Sequence, residues 1–205
     1  MREIKLTKRR ELIKNMCVCA MCIALCVVLP LAFHTIPKGG MIFSPMHIPV
    51  YLCGLICGPF FGLLCAVCGP ILSMLITGMP GVSSLPGMLV ELCVYSMIPY
   101  LFLKLTKFKH LYIYLYVSVA IAIIIGRSLG GVMSSLLYTG EGGYQFSMFI
   151  NSYIIVGWPG ILIQILLIPN LVYFLIKNKI IKIGNNEVYE SNINKEKIIE
   201  NNKEC

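Results

Sequence analysis

The stretch "FSPMHIPVYLCGLICGPFFGLLCAVCGPILSMLITGMPG", residues 43–81, decides the fold. It is apolar almost throughout, but it carries one histidine, His47, near its start and the dipeptide Gly58-Pro59 in its middle. Because proline is disfavoured inside a helix, this dipeptide predicts a tight reversal between two closely packed helices, with no unusual backbone conformation. The first helix of this hairpin has about 13 residues, or about 20 Å, which is short of a full membrane crossing.

The whole chain is too apolar for a water-soluble domain of its size. It has 205 residues, of which 58% are hydrophobic and 13% charged, and its mean hydropathy is +0.82. We therefore predict an all-α integral membrane protein, a bundle of six transmembrane helices in a multi-pass arrangement. The apolar runs that support this count are residues 12–33, 47–59, 61–77, 86–104, 111–137 and 150–176.

The basic residues predict the orientation of the bundle. Of the 17 Lys and Arg residues, six lie within residues 2–14, at the start of the first run or before it, three lie within 104–109 and six lie from Lys177 onward. Lys and Arg collect on the cytoplasmic side, so we expect both termini there. The membrane domain is expected at 12–177, between a basic N-terminal segment, 1–11, and a polar, disordered tail, 178–205. Anionic headgroups suit these membrane-edge charges better than nucleic acid, because the aromatic residues of a base-stacking surface are missing.

The ten cysteines do not form a pattern typical of a metal site. No histidine or carboxylate accompanies them at zinc-ligand spacing, so we expect them to pack as small apolar residues and predict neither metal nor cofactor. The sequence contains no phosphate-binding G-x-x-x-x-G-K-[ST] loop and no H-E-x-x-H motif, which argues against ATP hydrolysis and against a zinc protease. We therefore predict a protein that is not an enzyme.

Two ionisable side chains, Glu91 and Arg127, interrupt the predicted spans. Such groups are costly in lipid unless they face a cavity or a partner. They either form an interhelical ion pair that fixes helix packing or contribute to a ligand-binding cavity on the outer side. Further polar and aromatic residues of the same outer half favour a cavity, and the predicted substrate-binding set is His47, Glu91, Tyr95, Arg127, Asn151, Trp158 and Gln164.

Several of these residues also have a simpler interpretation. His47 stands where the first outer loop enters the second run, where it can donate to an anionic ligand, cap a helix or anchor the interface. Trp158 can belong to an aromatic belt. The outer loops, rich in Gly, Pro and Ser, are expected to act as lids. In the first span, Ala20 and Ala24 lie one turn apart on one face, a spacing that lets another helix approach closely.

These features resemble the substrate-binding S component of an energy-coupling factor (ECF) transporter, over residues 12–177. The segments similar to that family begin at residue 46, "MHIPVYLCGLICGPFFGLLCAVCGPILSML", at residue 88, "MLVELCVYSMIPYLF", at residue 126, "GRSLGG", and at residue 159, "PGILIQILLIPNLVYFL". The resemblance implies a subunit of the bacterial plasma membrane that binds a vitamin from outside. It also implies docking, through Ala20 and Ala24, onto a membrane T component that works with two cytoplasmic ATPases.

The ligand and the rival functions remain open at this point. Arg127 offers a planar, permanently charged fork for a carboxylate, and His47 and Lys38 add positive character, so an anionic vitamin is favoured. Pantothenate is the first choice, niacin or a folate are others, and cationic thiamine fits less well. The alternatives are a self-contained secondary transporter, although no internal repeat is visible, and an intramembrane enzyme that uses Glu91 and His47.

Overall fold

A computed structural model of the chain describes residues 2–32, 43–105, 111–137 and 157–177, with the side chains of residues 2–8 and 111 excluded. Within these residues every regular secondary-structure element is an α-helix, which confirms the all-α prediction. The helices are α1 Arg2–Ala32, α2 His47–Cys57, α3 Pro59–Thr77, α4 Leu85–Leu105, α5 Leu111–Leu137 and α6 Trp158–Lys177. Five of these six are long and apolar enough to cross a membrane, and α2 is the exception.

The helix boundaries follow the apolar runs closely, with two differences. α1 begins at Arg2, ten residues before the predicted start of the first span, because Lys, Arg, Glu and Leu all favour helix and allow it to continue beyond the apolar segment. α6 begins at Trp158 rather than at residue 150, and residues 151–156 lie outside the described part of the chain. The predicted tail, 178–205, lies outside it as well, as do residues 33–42 and 138–156, which hold most of two of the loops predicted to face outward.

The reversal at Gly58-Pro59 forms as predicted, but its backbone conformation differs from the prediction. α2 ends at Cys57 and Pro59 is the first residue of α3, so a single residue joins two antiparallel helices. Gly58 has φ 89° and ψ 175°, a conformation that is essentially restricted to glycine. The expectation of an ordinary backbone was therefore wrong, since a one-residue connection leaves no other residue to absorb the change in chain direction.

The short helix α2 forms the centre of the bundle and packs against α1, α3, α4 and α6. Its close contact with α4 depends on Gly54, because a Cβ atom there would lie 2.8 Å from the backbone Cα of Ser96. A Cβ at Gly62 of α3 would in turn lie 2.6 Å from the Cα of Gly54. Small residues thus bring three helices together, as is common where helices associate in lipid. Because protein surrounds α2, it does not need the length of a full crossing.

Buried cysteines occupy the contacts of α1 with α2 and α3. The thiols of Cys19 in α1 and Cys53 in α2 both donate to the carbonyl oxygen of Phe61 in α3, at 3.5 and 3.4 Å. The thiol of Cys26 donates to the carbonyl oxygen of Met46 at 3.7 Å. These residues combine small apolar volume with a weak S–H donor, which suits the space between closely packed helices. The buried face of α1 therefore packs against α2 and α3, and the opposite face of α1 is exposed.

Candidate ligand-binding site

The carboxylate of Glu91 is the centre of a buried polar cluster drawn from three helices. Its Oε1 atom accepts a hydrogen bond from the Tyr95 hydroxyl at 2.5 Å. The same oxygen lies 3.6 Å from Nε2 of His47, on α2, and 3.6 Å from Nε of Arg127, on α5. We call His47, Glu91, Tyr95 and Arg127 the Glu91 cluster. It brings together four of the seven side chains predicted to bind ligand.

Helical spacing explains how α2 and α4 contribute to this cluster. His47 and Tyr51 are one turn apart on α2, and Glu91 and Tyr95 are one turn apart on α4, so each pair lies on one face of its helix. The Tyr51 and Tyr95 rings stack with centroids 4.8 Å apart and an interplanar angle of 17°. The His47 ring lies 5.2 Å from the Tyr95 ring. The two helices therefore face each other through an aromatic layer beside the carboxylate.

A glycine on α5 brings Arg127 to the same point. A Cβ atom at Gly126 would overlap the Tyr95 ring, so only glycine leaves room for that ring against α5. One turn further on, a Cβ at Gly130 would lie 2.8 Å from the carbonyl oxygen of Gly87. The "GRSLGG" segment thus places α5 against α4 with Arg127 opposite Glu91.

The backbone before α2 fixes the orientation of the His47 ring. The carbonyl oxygen of Ser44 accepts hydrogen bonds from both the backbone N–H and Nδ1 of His47, each at 3.1 Å. Ser44 itself has φ 44°, in the left-handed region that is uncommon for a residue other than glycine. The imidazole is thereby held with Nε2 directed at Glu91. At 4% exposure His47 is buried, unlike an interfacial anchor, whose polar tip reaches water.

Charge inside the bundle is confined to this cluster in the described chain. The buried Asp, Glu, Lys, Arg and His side chains there are Glu91, Arg127 and His47. The 3.6 Å contact shows that Glu91 and Arg127 do pair, which is the simpler of the two roles considered from the sequence. The network is wider than an ion pair, because His47 and Tyr95 also contact Oε1 of Glu91. Its role in ligand binding stays a prediction.

Two buried polar atoms beside the carboxylate lack a hydrogen-bond partner among the residues described. These atoms are Nε2 of His47 and the hydroxyl of Tyr51. Tyr51 is fully buried, and Glu91 and Arg127 are the charged groups that act on its hydroxyl. Sequence reasoning missed Tyr51, although its position one turn after His47 on the same helical face would have indicated it. Buried polar groups without partners are unusual and indicate a place where a ligand or water can bind.

The other predicted site residues lie elsewhere. Trp158 is 57% exposed at the first residue of α6, a position typical of an interfacial anchor. Gln164 is fully buried in α6, and its amide atoms make no hydrogen bond to the described residues. Asn151 lies outside those residues. Whether these three side chains contact a ligand stays a prediction.

The level of Gln164 follows from a contact between α5 and α6. The Tyr112 hydroxyl donates to the side-chain oxygen of Asn170 at 2.8 Å, which fixes how these helices align. Counted from this contact toward the start of α6 and the end of α5, at about 1.5 Å per residue, Gln164 lies about 9 Å away and Arg127 about 22 Å away. The backbones of Gln164 and Arg127 are therefore about 13 Å apart along the bundle axis.

The two stacked tyrosines offer a matched test of the cluster. We expect Tyr95→Phe to lower the free energy of unfolding by about 1.5–3 kcal/mol, because its hydroxyl donates to a buried carboxylate. We expect Tyr51→Phe to leave that free energy unchanged or to raise it slightly, since its hydroxyl bonds to none of the described residues. Denaturant or thermal unfolding in one detergent measures both. Equal losses in the two variants would contradict the hydrogen-bond assignment.

Comparison with known proteins gives one match. The family model described as "ECF transporter, substrate-specific component" matches residues 14–181, a range that begins within α1 and extends past the end of α6. No curated protein and no solved structure matched the chain. The matched range includes every residue of the Glu91 cluster.

Proposed function

Because the chain belongs to the substrate-specific components of ECF transporters, we propose that it captures an anionic vitamin from outside the cell, with pantothenate as the first candidate. Proteins of this family are substrate-binding transport subunits that work in a membrane with a T component and ATPases. The ligand, the binding residues and the docking surface are our proposals.

The Glu91 cluster is the observation that carries this proposal. The buried side chains of Arg127 and His47 both contact the carboxylate of Glu91. This contact lies in the half of the bundle where α4 begins and α5 ends. By the positive-inside rule we expect that half to face outward. Ionisable groups at such depth are generally retained for function. The Tyr51 hydroxyl, which bonds to none of the described residues, supplies further hydrogen-bonding capacity beside them.

The chemistry of these groups suits an acid with further polar groups. The guanidinium of Arg127 matches the geometry of a carboxylate, and a charge-assisted hydrogen bond is stronger than a neutral one. Pantothenate combines a carboxylate with an amide and two hydroxyls, which the tyrosine and imidazole groups can bind. Nicotinate and a folate are the other candidates, and Asn151, Trp158 and Gln164 remain proposed ligand contacts.

The proposed orientation places the basic ends of the helices in the cytoplasm. Lys104 lies in the last turn of α4 and Lys177 is the last residue of α6. Both are at the same end of an alternating bundle as the basic start of α1. Both termini are then cytoplasmic, in a bacterial plasma membrane. We propose that the complex docks through Ala20 and Ala24 of α1, both of which are exposed in the structure.

The function is tested by purifying the protein gently in detergent and identifying retained small molecules by mass spectrometry. We expect pantothenate, or another vitamin acid, at about one per chain, and copurification with a T component and its ATPases when these are coexpressed. Uptake into proteoliposomes by this chain alone, without ATPases, would instead support a secondary transporter. Absence of both a retained acid and any association would contradict the proposal.

A further inference from the structure

The hydrogen bond from His47 to Ser44 determines where a proton can be added to the imidazole. The Ser44 carbonyl can only accept, so Nδ1 of His47 must carry the hydrogen in the 3.1 Å contact. In the neutral ring, Nε2 is then a bare acceptor that faces the Glu91 oxygen, also an acceptor, at 3.6 Å. Adding a proton to Nε2 converts this opposition into a charge-assisted N–H···O contact. Nε2 is therefore the open position for a proton.

The charge balance of the cluster shows when that proton is needed. With His47 neutral, the negative Glu91 and the positive Arg127 cancel. A bound carboxylate would leave one uncompensated negative charge in a region of low dielectric constant, which is strongly unfavourable. A proton on His47 restores neutrality without a change in helix packing.

Among the described residues, the neighbours of His47 leave few other places for this proton. Glu91 and Tyr95 face the His47 ring from α4. Arg127 contacts the Glu91 carboxylate from α5. Within α2, the Tyr51 ring stacks on that of Tyr95. From α1, the thiol of Cys26 bonds to the carbonyl oxygen of Met46, the preceding residue. The titratable groups of α3, Cys65 and Cys68, lie in its first half, and those of α6, Tyr173 and Lys177, near its end.

We propose that His47 takes up one proton at Nε2 when a carboxylate-bearing ligand binds at the Glu91 cluster, an inference that rests on the proposed function. The bound state then holds one more proton than the free state. Binding is consequently tighter at low pH, and the Kd rises with pH wherever the free protein does not already hold this proton. With a ligand that carries a single negative charge, such as pantothenate, the complex is electrically neutral.

The experiment measures pantothenate binding to the purified full chain by calorimetry at pH 7.5, in buffers of different ionisation enthalpy. The dependence of the observed heat on the buffer gives the number of protons exchanged, and we expect an uptake close to one per ligand. Panthenol, in which an alcohol replaces the carboxylate, serves as the matched ligand. We expect it to bind with no proton uptake, because it adds no charge.

Variants locate the proton. His47→Asn keeps a donor for the Ser44 carbonyl but cannot be protonated, so we expect weaker binding with no proton uptake. Glu91→Gln leaves Arg127 to balance the ligand, so we expect binding that takes up no proton and does not vary with pH. The other two histidines, at positions 34 and 110, supply the matched controls: His34→Asn and His110→Asn should retain the uptake.

The outcomes separate this inference from the proposed function. Binding of pantothenate without proton uptake by the parent protein overturns the inference alone. Uptake that persists in His47→Asn, or that is lost in His34→Asn instead, assigns the proton to another group and also overturns it. If pantothenate, nicotinate and folate all fail to bind, the proposed function is wrong and the inference fails with it.

Discussion

Arg127→Ala is expected to weaken binding of pantothenate by about 2 kcal/mol or more, which is about 30-fold or more in Kd. The variant removes the permanent positive charge at the site and leaves Glu91 buried beside a histidine and a tyrosine. Breaking a buried ion pair by removing one partner also lowers the free energy of unfolding, typically by about 3–5 kcal/mol. Equilibrium binding to the purified protein measures the first effect, and denaturant unfolding measures the second.

A double variant separates ligand binding from folding. Replacing Arg127 by Met together with Glu91 by Gln removes both charges, and such neutral replacements of a buried pair often preserve stability. We expect this variant to regain most of the stability lost in Arg127→Ala but not the affinity, because the described residues then place no permanent positive charge at the cluster to balance the carboxylate. If the double variant bound pantothenate as tightly as the parent protein, Arg127 would serve helix packing alone.

Hydropathy and charge predicted the helices well because lipid imposes one simple requirement on every residue of a span. Each span must form its own backbone hydrogen bonds and present apolar side chains to lipid. A long apolar run such as 111–137 therefore predicts a helix. The short α2 was also predictable, since Gly58-Pro59 ends its run. The conformation of Gly58 was not, because it depends on how closely two helices pack once they are formed.

The site was predictable only in part, for a related reason. Glu91 and Arg127 stand out because charge is costly in lipid. His47 and Tyr95 entered the predicted set because they are polar or aromatic residues of the same outer half. Tyr51 does not stand out, since tyrosine is common in membrane helices, and only the stacking of α2 on α4 places it at the cluster. Gln164 is equally unusual in a span, but depth along α6 separates it from Arg127, and depth depends on how α5 and α6 align.

We expect the second large effect, a loss of association with the T component, from substitutions on the exposed face of α1. Ala20 and Ala24 are exposed on the side opposite the buried Cys19, Cys22 and Cys26. Their small side chains allow a partner helix to approach closely. Replacing both by leucine should leave the fold intact, since leucine suits a lipid-facing position. It should weaken association with the T component by about 2 kcal/mol or more, about 30-fold or more, because two overpacked positions keep the helices apart.

Copurification of the coexpressed T component and ATPases with the tagged chain measures this effect, with pantothenate binding to the isolated chain as the check on folding. Ser128→Leu is the matched control, because Ser128 is also small and exposed but lies on α5, where its hydroxyl bonds to the carbonyl oxygen of Ile124 in its own helix. Assembly should survive this control. A double leucine variant that binds pantothenate and still assembles fully would show that the partner docks on another face. Two leucine side chains in place of alanines would overpack a close helix contact and weaken it.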